Sequence, residues 1–291
     1  MFADAASAHP LSRRVLLGLP MAFLLPAPQR AVAADVERES MATVEREQRL
    51  EPPLTLGIAR VVLRPGATAL AATPDGARII VVESGVLAIA AAPRAGQAMS
   101  AAELAADTPL PLPGDELFVP AGAAMTFGRL GVASVRNPGA RSVVALDVAI
   151  YREEPRPLAR AFTTDEGISF QLLASANATA APGGHISMVL ERVRLGAHAT
   201  LPPDLSAGLT LAYVEAGSLE LSPLAGEVFA ARAAAAAPYS MPGALQPIPV
   251  SESRGVSAGG VMFLPLGAEA HVANPATRPA GILALAVREA V

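Results

Sequence analysis

The sequence predicts an all-β chain built as two similar barrels in tandem. Short apolar runs of strand length, bounded by Gly, Pro and Asp, follow one another from Leu54 onward without a long helical period. A set of spaced residues also occurs twice, with Gly66 and His198 at equivalent places 132 positions apart. Such self-similarity indicates an internal repeat, and many short strands in a repeat favour barrels or sandwiches.

Residues 1–33 are predicted to be an export signal outside the fold. Arg13 and Arg14 precede an apolar stretch from Val15 to Pro28, and the small-residue sequence Ala31-Val32-Ala33 follows. This pattern resembles a twin-arginine (Tat) signal that is cleaved after Ala33. The apolar stretch is shorter than the roughly 20 residues that span a bilayer. We therefore expect export without a stable membrane anchor, and retention as an anchor is the alternative.

Residues 34–53 are rich in Glu and Arg and end at Pro52-Pro53. We interpret this charged arm as a solvated segment or a short surface helix.

The first barrel is assigned to residues 54–152 and the second to residues 181–291, with a connector over 153–180. Within the connector, residues 168–173 are expected to add a strand to one of the barrels. The predicted strands are Leu54–Leu63, Ala77–Val82, Val86–Ala90, Glu116–Val119, Ser142–Ile150, His185–Leu195, Leu209–Val214, Ser218–Leu221, Val261–Leu264 and Gly281–Val287.

Two spacing motifs each occur once in either half. The first reads Gly66-x5-Ala72-x-Pro74-x3-Arg78-x6-Gly85 and His198-x5-Asp204-x-Ser206-x3-Thr210-x6-Gly217. The second reads Gly114-x5-Pro120-x-Gly122-x2-Met125-x3-Arg129 and Gly259-x5-Pro265-x-Gly267-x2-Ala270-x3-Asn274. Glycine permits positive φ and proline fixes φ, so these frames suit the turns between strands.

Both spacings resemble the two cupin motifs, G-x5-H-x-H-x3-E-x6-G and G-x5-P-x-G-x2-H-x3-N. The resemblance covers about residues 54–291 and implies a bicupin, with two RmlC-like jelly-roll barrels and a pseudo-twofold relation. In that family the two histidines and the glutamate of the first motif, with the histidine of the second, hold a metal inside the barrel. The chain is accordingly expected to be a pseudo-dimeric monomer or a homo-oligomer.

The ligand positions of the first barrel hold Ala72, Pro74, Arg78 and Met125. A thioether is a soft ligand, and an arginine repels a cation, so we expect this barrel to be metal-free. Arg78 has two interpretations: it binds an anionic small molecule through a bidentate contact, or it forms a salt bridge to Asp75, Glu83 or Glu116. Glu83 and its repeat equivalent Glu215 are expected to face outward.

The ligand positions of the second barrel hold Asp204, Ser206, Thr210 and Ala270. One carboxylate and two hydroxyls are a weak set for a transition metal. An alternative is a displaced metal site built from Asp204, His198 and His271. Side chains alternate along a strand, however, so His271 is expected to point away from the interior, with His198 at a turn and His185 at a strand start.

Composition excludes several kinds of chemistry. The chain has no Cys, which excludes thiol nucleophiles. Its net charge is −4, so it offers no basic surface for nucleic acid. All basic residues other than histidine are Arg, so Schiff-base lysine chemistry is excluded, and no catalytic motif is present.

We expect an exported bicupin without a standard metal site or cofactor, which binds a small anion or has a structural role. The alternative is a metal-dependent dioxygenase, isomerase or decarboxylase using the displaced site in the second barrel.

Overall fold

The structure is a computed structural model that describes residues 30–33, 35–46, 50–72, 76–91, 116–127, 132–152, 162–164, 167–201, 208–233 and 243–290. Every regular element in these ranges is a β-strand, so the prediction of an all-β fold is confirmed. None of these ranges contains a helix of the length and apolarity that crossing a membrane requires.

The strands of the first half and of the segments before it are β1 (Arg30–Ala33), β2 (Val36–Arg46), β3 (Leu54–Leu63), β4 (Thr68–Ala72), β5 (Gly76–Ser84), β6 (Val86–Ala91), β7 (Glu116–Pro120), β8 (Ala124–Phe127), β9 (Val132–Arg136) and β10 (Val143–Arg152). The strands of the second half are β11 (Phe162–Thr164), β12 (Ile168–Ala178), β13 (Ile186–Leu195), β14 (Leu209–Ala216), β15 (Ser218–Ala225), β16 (Val228–Ala231), β17 (Gln246–Ile248), β18 (Arg254–Ser257), β19 (Val261–Leu264), β20 (Glu269–Ala273) and β21 (Ala280–Glu289).

The strands form two jelly-roll barrels in tandem, each with two facing sheets. The first barrel combines the sheet β12-β3-β10-β5-β8 with the sheet β11-β4-β9-β6-β7. The second combines β1-β2-β13-β21-β14-β19-β16-β17 with β18-β15-β20. The predicted signal sequence lies outside the described residues except for β1, which pairs antiparallel with β2.

The two halves exchange a strand, and this corrects the interpretation of the charged arm. Val36–Arg46 is neither a solvated segment nor a helix: it is β2, which pairs with β13 of the second barrel. The connector strand β12 pairs in turn with β3 of the first barrel, as expected for residues 168–173. Both exchanged strands shift register at equivalent places, skipping Met41 and Leu173. The repeat therefore begins at Val36, where charged residues interrupt the apolar pattern typical of a strand.

Three apolar clusters hold the fold together. One fills the first barrel and contains Ile80, Val82 and Met125, and another fills the second and contains Ala212, Val214 and Ile282. The largest lies between the barrels and includes alternate residues of β5 and β14, such as Ile79 and Leu211. Because residues alternate along a strand, one face of each central sheet lines a barrel and the other face joins the two barrels.

A cluster of four charges also joins the barrels, and it corrects the expectation that Glu83 and Glu215 face outward. Arg60 contacts Glu83 at 2.8 Å and Glu215 at 3.2 Å, while Arg192 contacts Glu83 at 2.6 Å and Glu215 at 2.7 Å. Arg60 and Arg192 are repeat equivalents, as are the two glutamates. Each arginine thus contacts a carboxylate of its own half and one of the other half.

Mutual pairing in this cluster shifts the pKa values of Glu83, Arg60 and Arg192. Burial alone would raise the pKa of Glu83, but hydrogen bonds from Arg60 and Arg192 hold it below its ordinary value. Burial alone would lower the pKa values of Arg60 and Arg192, yet the glutamates raise both. Glu83, Arg60 and Arg192 are therefore charged at neutral pH.

Candidate functional site

Arg78 lies inside the first barrel and is paired within the chain. Its Nε donates to Oδ1 of Asp147 at 2.6 Å and its Nη2 donates to Oδ2 at 2.8 Å. Both residues are buried, with exposures of 2% and 1%. The salt-bridge interpretation is correct, but the partner is Asp147 of β10 rather than Asp75, Glu83 or Glu116. A bidentate contact to an internal carboxylate leaves this edge of Arg78 no place for an anionic ligand.

Tyr151 lies near this ion pair on the same face of β10. Its partner across β5 is Gly76, while Arg78 faces Ala149. Burial raises the pKa of Tyr151, and the negative charge of Asp147 raises it further. The phenol therefore stays neutral at physiological pH, and the described interior of the first barrel has no uncompensated charge around Arg78.

The register of the second motif in the first half differs from the predicted one. Gly122 donates to the carbonyl of Val82 as Gly259 donates to that of Val214, each at 2.8 Å. Met125 pairs with Ile80, and Met262 pairs with the equivalent Ala212. Met125 thus corresponds to Met262 rather than to Ala270. It lies in the core of the first barrel but outside the ligand position assigned to it.

The residue that corresponds to Ala270 is Ala133, because Ala133 pairs with Ala91 as Ala270 pairs with Pro223. The last residue of the frame is then Asn137 in place of Arg129, which lies outside the described residues.

Asn137 and Asn274 have the same structural role. Asn137 Nδ2 donates to the carbonyls of Leu63 and Arg141. Asn274 Nδ2 donates to the carbonyls of Gly196 and Arg278. Each amide oxygen also accepts a backbone N–H two residues later. These buried amides therefore fix the turn before the last strand of each barrel.

In the second barrel, the structure describes only part of the predicted ligand set. Asp204 and Ser206 lie outside the described residues, as does Pro74 in the first barrel. Thr210 and Ala270 are buried, and Thr210 pairs with Ala286 on β21. Ala270 packs in the core of the second barrel, so this position offers a methyl group where the cupin motif has an imidazole.

The three histidines in the described ranges are all exposed. His198 occupies a turn with φ of 58°. His271 alternates with the buried Ala270 and Val272, so it points away from the interior as strand alternation predicts. No group of three or more His, Cys, Asp or Glu side chains suited to a metal occurs among the residues that the structure describes. The displaced site also needs Asp204 and stays a prediction.

Arg288 is the site residue that the sequence analysis missed. It lies on β21, on the face that carries Ala280, Ile282 and Ala284 in the second core, and the β13–β21 register shows no shift up to it. Its Nε and Nη2 atoms are buried and have no hydrogen-bond partner among the residues that the structure describes. Sequence alternation did not reveal it, because residues 282–287 are all apolar and both faces of this strand are buried.

The neighbours of Arg288 follow from the strand pairing. On β13 it pairs with Ser187. On the other side lies Gly208, where an added Cβ would approach Cγ of Arg288 to 3.1 Å. Thr210 is two residues beyond Gly208 on the same face of β14. Two hydroxyl-bearing residues are therefore neighbours of Arg288 on this face of the sheet.

The second barrel carries shorter side chains than the first at three adjoining inward positions. Thr210, Ala212 and Ala284 stand where the first barrel has Arg78, Ile80 and Asp147. The pairs Ile80–Asp147 and Ala212–Ala284 lie directly opposite each other on neighbouring strands. The substitutions are therefore contiguous, and together they remove both members of the first barrel's ion pair.

Other charges on the inner face of the second barrel compensate each other. Glu191 of β13 shares the inward parity of Val193 and accepts a hydrogen bond from Arg38 of β2 at 2.8 Å. Glu45 lies two strands from Arg288, beyond Ser187, and is exposed. Among the described side chains, no carboxylate reaches Nε or Nη2 of Arg288.

No protein-family model and no curated protein sequence matches this chain. Solved structures are similar to it at low identity. AerE from Microcystis aeruginosa aligns with a TM-score of 0.41 at 12% identity, covering 91% of this chain and 99% of that one. A Cupin 2 conserved barrel domain protein from Leptotrichia buccalis aligns with a TM-score of 0.36 at 13% identity, covering 85% and 89%.

Vicilin from Corylus avellana (hazelnut) aligns with a TM-score of 0.40 at 12% identity, covering 89% of this chain and 82% of that one.

Proposed function

We propose that this chain is an exported, metal-independent binding protein whose second barrel holds a small anion and whose first barrel is structural. Export is proposed from the twin-arginine pattern of residues 1–33. The single observation that supports anion binding is the buried edge of Arg288, whose Nε and Nη2 have no partner in the described part of the chain. A guanidinium is always charged, and a buried charge without a partner is costly, so a bound anion would stabilise this barrel.

The first barrel supports the division of roles by contrast. Asp147 neutralises Arg78 there, and Ile80 and Tyr151 are also buried. Anion binding is therefore proposed for Arg288 and not for Arg78.

Thermal unfolding of the purified chain, without a histidine tag, tests the proposal. Sodium acetate, phosphate and sulfate are each titrated against sodium chloride at equal ionic strength. At least one anion should raise the unfolding temperature saturably, since a ligand that binds only the folded state stabilises it by RT ln(1 + [L]/Kd). Arg288→Met should abolish this shift, and Arg194→Met, which removes an exposed arginine of β13, should leave it unchanged. The absence of a saturable shift with every anion would contradict the proposal.

Metal analysis of the same preparation separates this function from a metal-dependent enzyme. We expect less than about 0.1 equivalent of transition metal. A metal present near one equivalent, and lost in both Asp204→Ala and His271→Ala, would replace the proposed function with the displaced-site alternative.

A further inference from the structure

We infer that the anion of the second barrel is a small monocarboxylate, gripped side-on by Nε and Nη2 of Arg288, with its apolar end toward Ala212 and Ala284. This inference rests on the proposed function and names the class of ligand. It assigns Arg288 as the residue that recognises the ligand and places Ser187 and Thr210 beside it.

The first barrel supplies the geometric template for this contact. Arg78 uses Nε and Nη2, the same two nitrogens, to hold both oxygens of Asp147 at 2.6 and 2.8 Å. The parallel N–H bonds of this edge match the two oxygens of one carboxylate. In the second barrel the corresponding internal carboxylate is absent, because Ala284 stands at the position of Asp147. A carboxylate ligand would therefore give Arg288 the contact that Asp147 gives Arg78.

Charge and side-chain size define the rest of the ligand. Glu191 already pairs with Arg38, so Arg288 alone calls for compensation on the described inner face, and a single negative charge is sufficient. Ala212 and Ala284 are buried and present only methyl groups. A second carboxylate placed against them would lose its hydration without a partner, which disfavours dicarboxylates. A short uncharged tail, as in butyrate or benzoate, fits this lining.

The test is a titration of the full chain by calorimetry with butyrate, benzoate, succinate, phosphate and sulfate at equal ionic strength. Butyrate or benzoate should bind at least tenfold more tightly than the other three anions. Equal or tighter binding of phosphate or sulfate through Arg288 would overturn the carboxylate inference while the proposed function stands. Binding of none of the five would overturn both.

Replacing Arg288 by lysine separates side-on recognition from simple charge attraction. Arg288→Lys keeps the positive charge but lacks the two parallel donors, so it should weaken monocarboxylate binding at least tenfold. Wild-type affinity in this variant would contradict the side-on contact. Arg194→Lys on the exposed side of β13 is the matched control and should bind as the wild type does.

A variant that supplies an internal carboxylate tests the inference while retaining Arg288, so the test does not depend on whether the arginine variants fold. Thr210 and Arg288 lie diagonally across neighbouring strands, along the opposite diagonal to that of Arg78 and Asp147, and within reach of a long side chain. Thr210→Asp should therefore pair with Arg288, raise the unfolding temperature and abolish the butyrate shift. An unchanged butyrate shift in a folded Thr210→Asp protein would contradict the inference.

Asp204 provides a further outcome, because it is the carboxylate predicted for this barrel from the sequence. If Asp204→Asn and Arg288→Met each lower the unfolding temperature and the double variant lowers it no further, Asp204 is the partner of Arg288. That result would overturn the inference. Additive effects of the two substitutions, with butyrate binding lost only in Arg288→Met, would support it.

Discussion

The two barrels share a backbone pattern but differ in how they treat a buried arginine. In the first barrel Arg78 is bound on one edge by Asp147, and the ion pair lies fully inside. In the second barrel the equivalent positions hold Thr210 and Ala284. Arg288 takes the position of Tyr151, and two of its nitrogens are buried without a partner among the described side chains. The repeated frame therefore specifies the strands and turns, whereas a few inward residues decide whether the buried charge of a barrel is paired within the chain.

Replacing each arginine in turn tests this difference between the barrels most directly. Arg78→Met should lower the free energy of unfolding by about 3–5 kcal/mol, because it leaves the buried Asp147 carboxylate uncompensated. Arg288→Met in buffer without carboxylates should change it by less than about 1 kcal/mol or increase it, since it removes an uncompensated cation. Urea unfolding measures both. The volume-matched double variant Arg78→Met/Asp147→Leu should recover most of the loss. Equal losses for the two single arginine variants would show that the barrels do not differ in this way.

The buried asparagines test where the two barrels are alike. Asn137→Ala and Asn274→Ala should each lower the free energy of unfolding by about 2–3 kcal/mol, because backbone carbonyls then lose their amide donor. The effects should agree between the barrels, since each amide donates to the carbonyl four residues later and to the end of an equivalent strand, at Leu63 in the first barrel and at Leu195 and Gly196 in the second. Asn177→Ala is the control: this exposed residue accepts one bond from Thr55 and should cost less than about 1 kcal/mol. Losses in chemical denaturation that differ by more than this between Asn137 and Asn274 would mean that the turns are not equivalent.

The four-charge cluster between the barrels predicts that the free energy of unfolding depends on pH. The pKa of Glu83 is lower in the folded chain than its ordinary value, so this carboxylate contributes stability above its unfolded pKa of about 4.3 and loses the contribution as pH falls through the folded value. Glu83→Gln should cost about 1 kcal/mol at pH 7 and flatten the loss of stability below about pH 4.5.

The exposed pair of Glu116 and Arg136 provides the control for this effect. Glu116→Gln should leave the acid-induced loss close to that of the wild type, because solvent screens this pair. Unfolding midpoints at a series of pH values report both variants. An acid profile of Glu83→Gln identical to that of the wild type would remove the four-charge cluster as a pH-dependent link.

The sequence predicted the fold well where local chemistry specifies it. The strand Leu54–Leu63 has the predicted bounds, and the turn glycines Gly85 and Gly217 both adopt positive φ. The second motif of the first half failed because a Pro-x-Gly sequence encodes a turn without saying which hairpin it closes. The turn Pro120-x-Gly122 lies before β8, whereas Pro265-x-Gly267 lies after β19.

The site was less predictable because its contacts join distant residues. Asp147 lies 69 residues from Arg78, and no local pattern indicates such a partner. Strand β2 was also missed: its charges favoured a solvated segment, although Arg38 is satisfied by Glu191 of the other half. Arg288 was missed for another reason: residues 282–287 are all apolar, so the sequence does not show which face of β21 is inward.

The smallest predicted effect concerns the turn that opens the first motif in each barrel. Gly66 has φ of 74°, and its equivalent His198 has φ of 58° in the same left-handed region. A side chain in this region carries a backbone cost of about 1 kcal/mol that glycine avoids, while glycine also gains entropy in the unfolded chain. His198→Gly should therefore stabilise the second barrel by up to about 0.5 kcal/mol, and Gly66→Ala should destabilise the first by about 1 kcal/mol. A destabilised His198→Gly protein in urea unfolding would show that the exposed imidazole has a stabilising contact that outweighs the strain of its backbone.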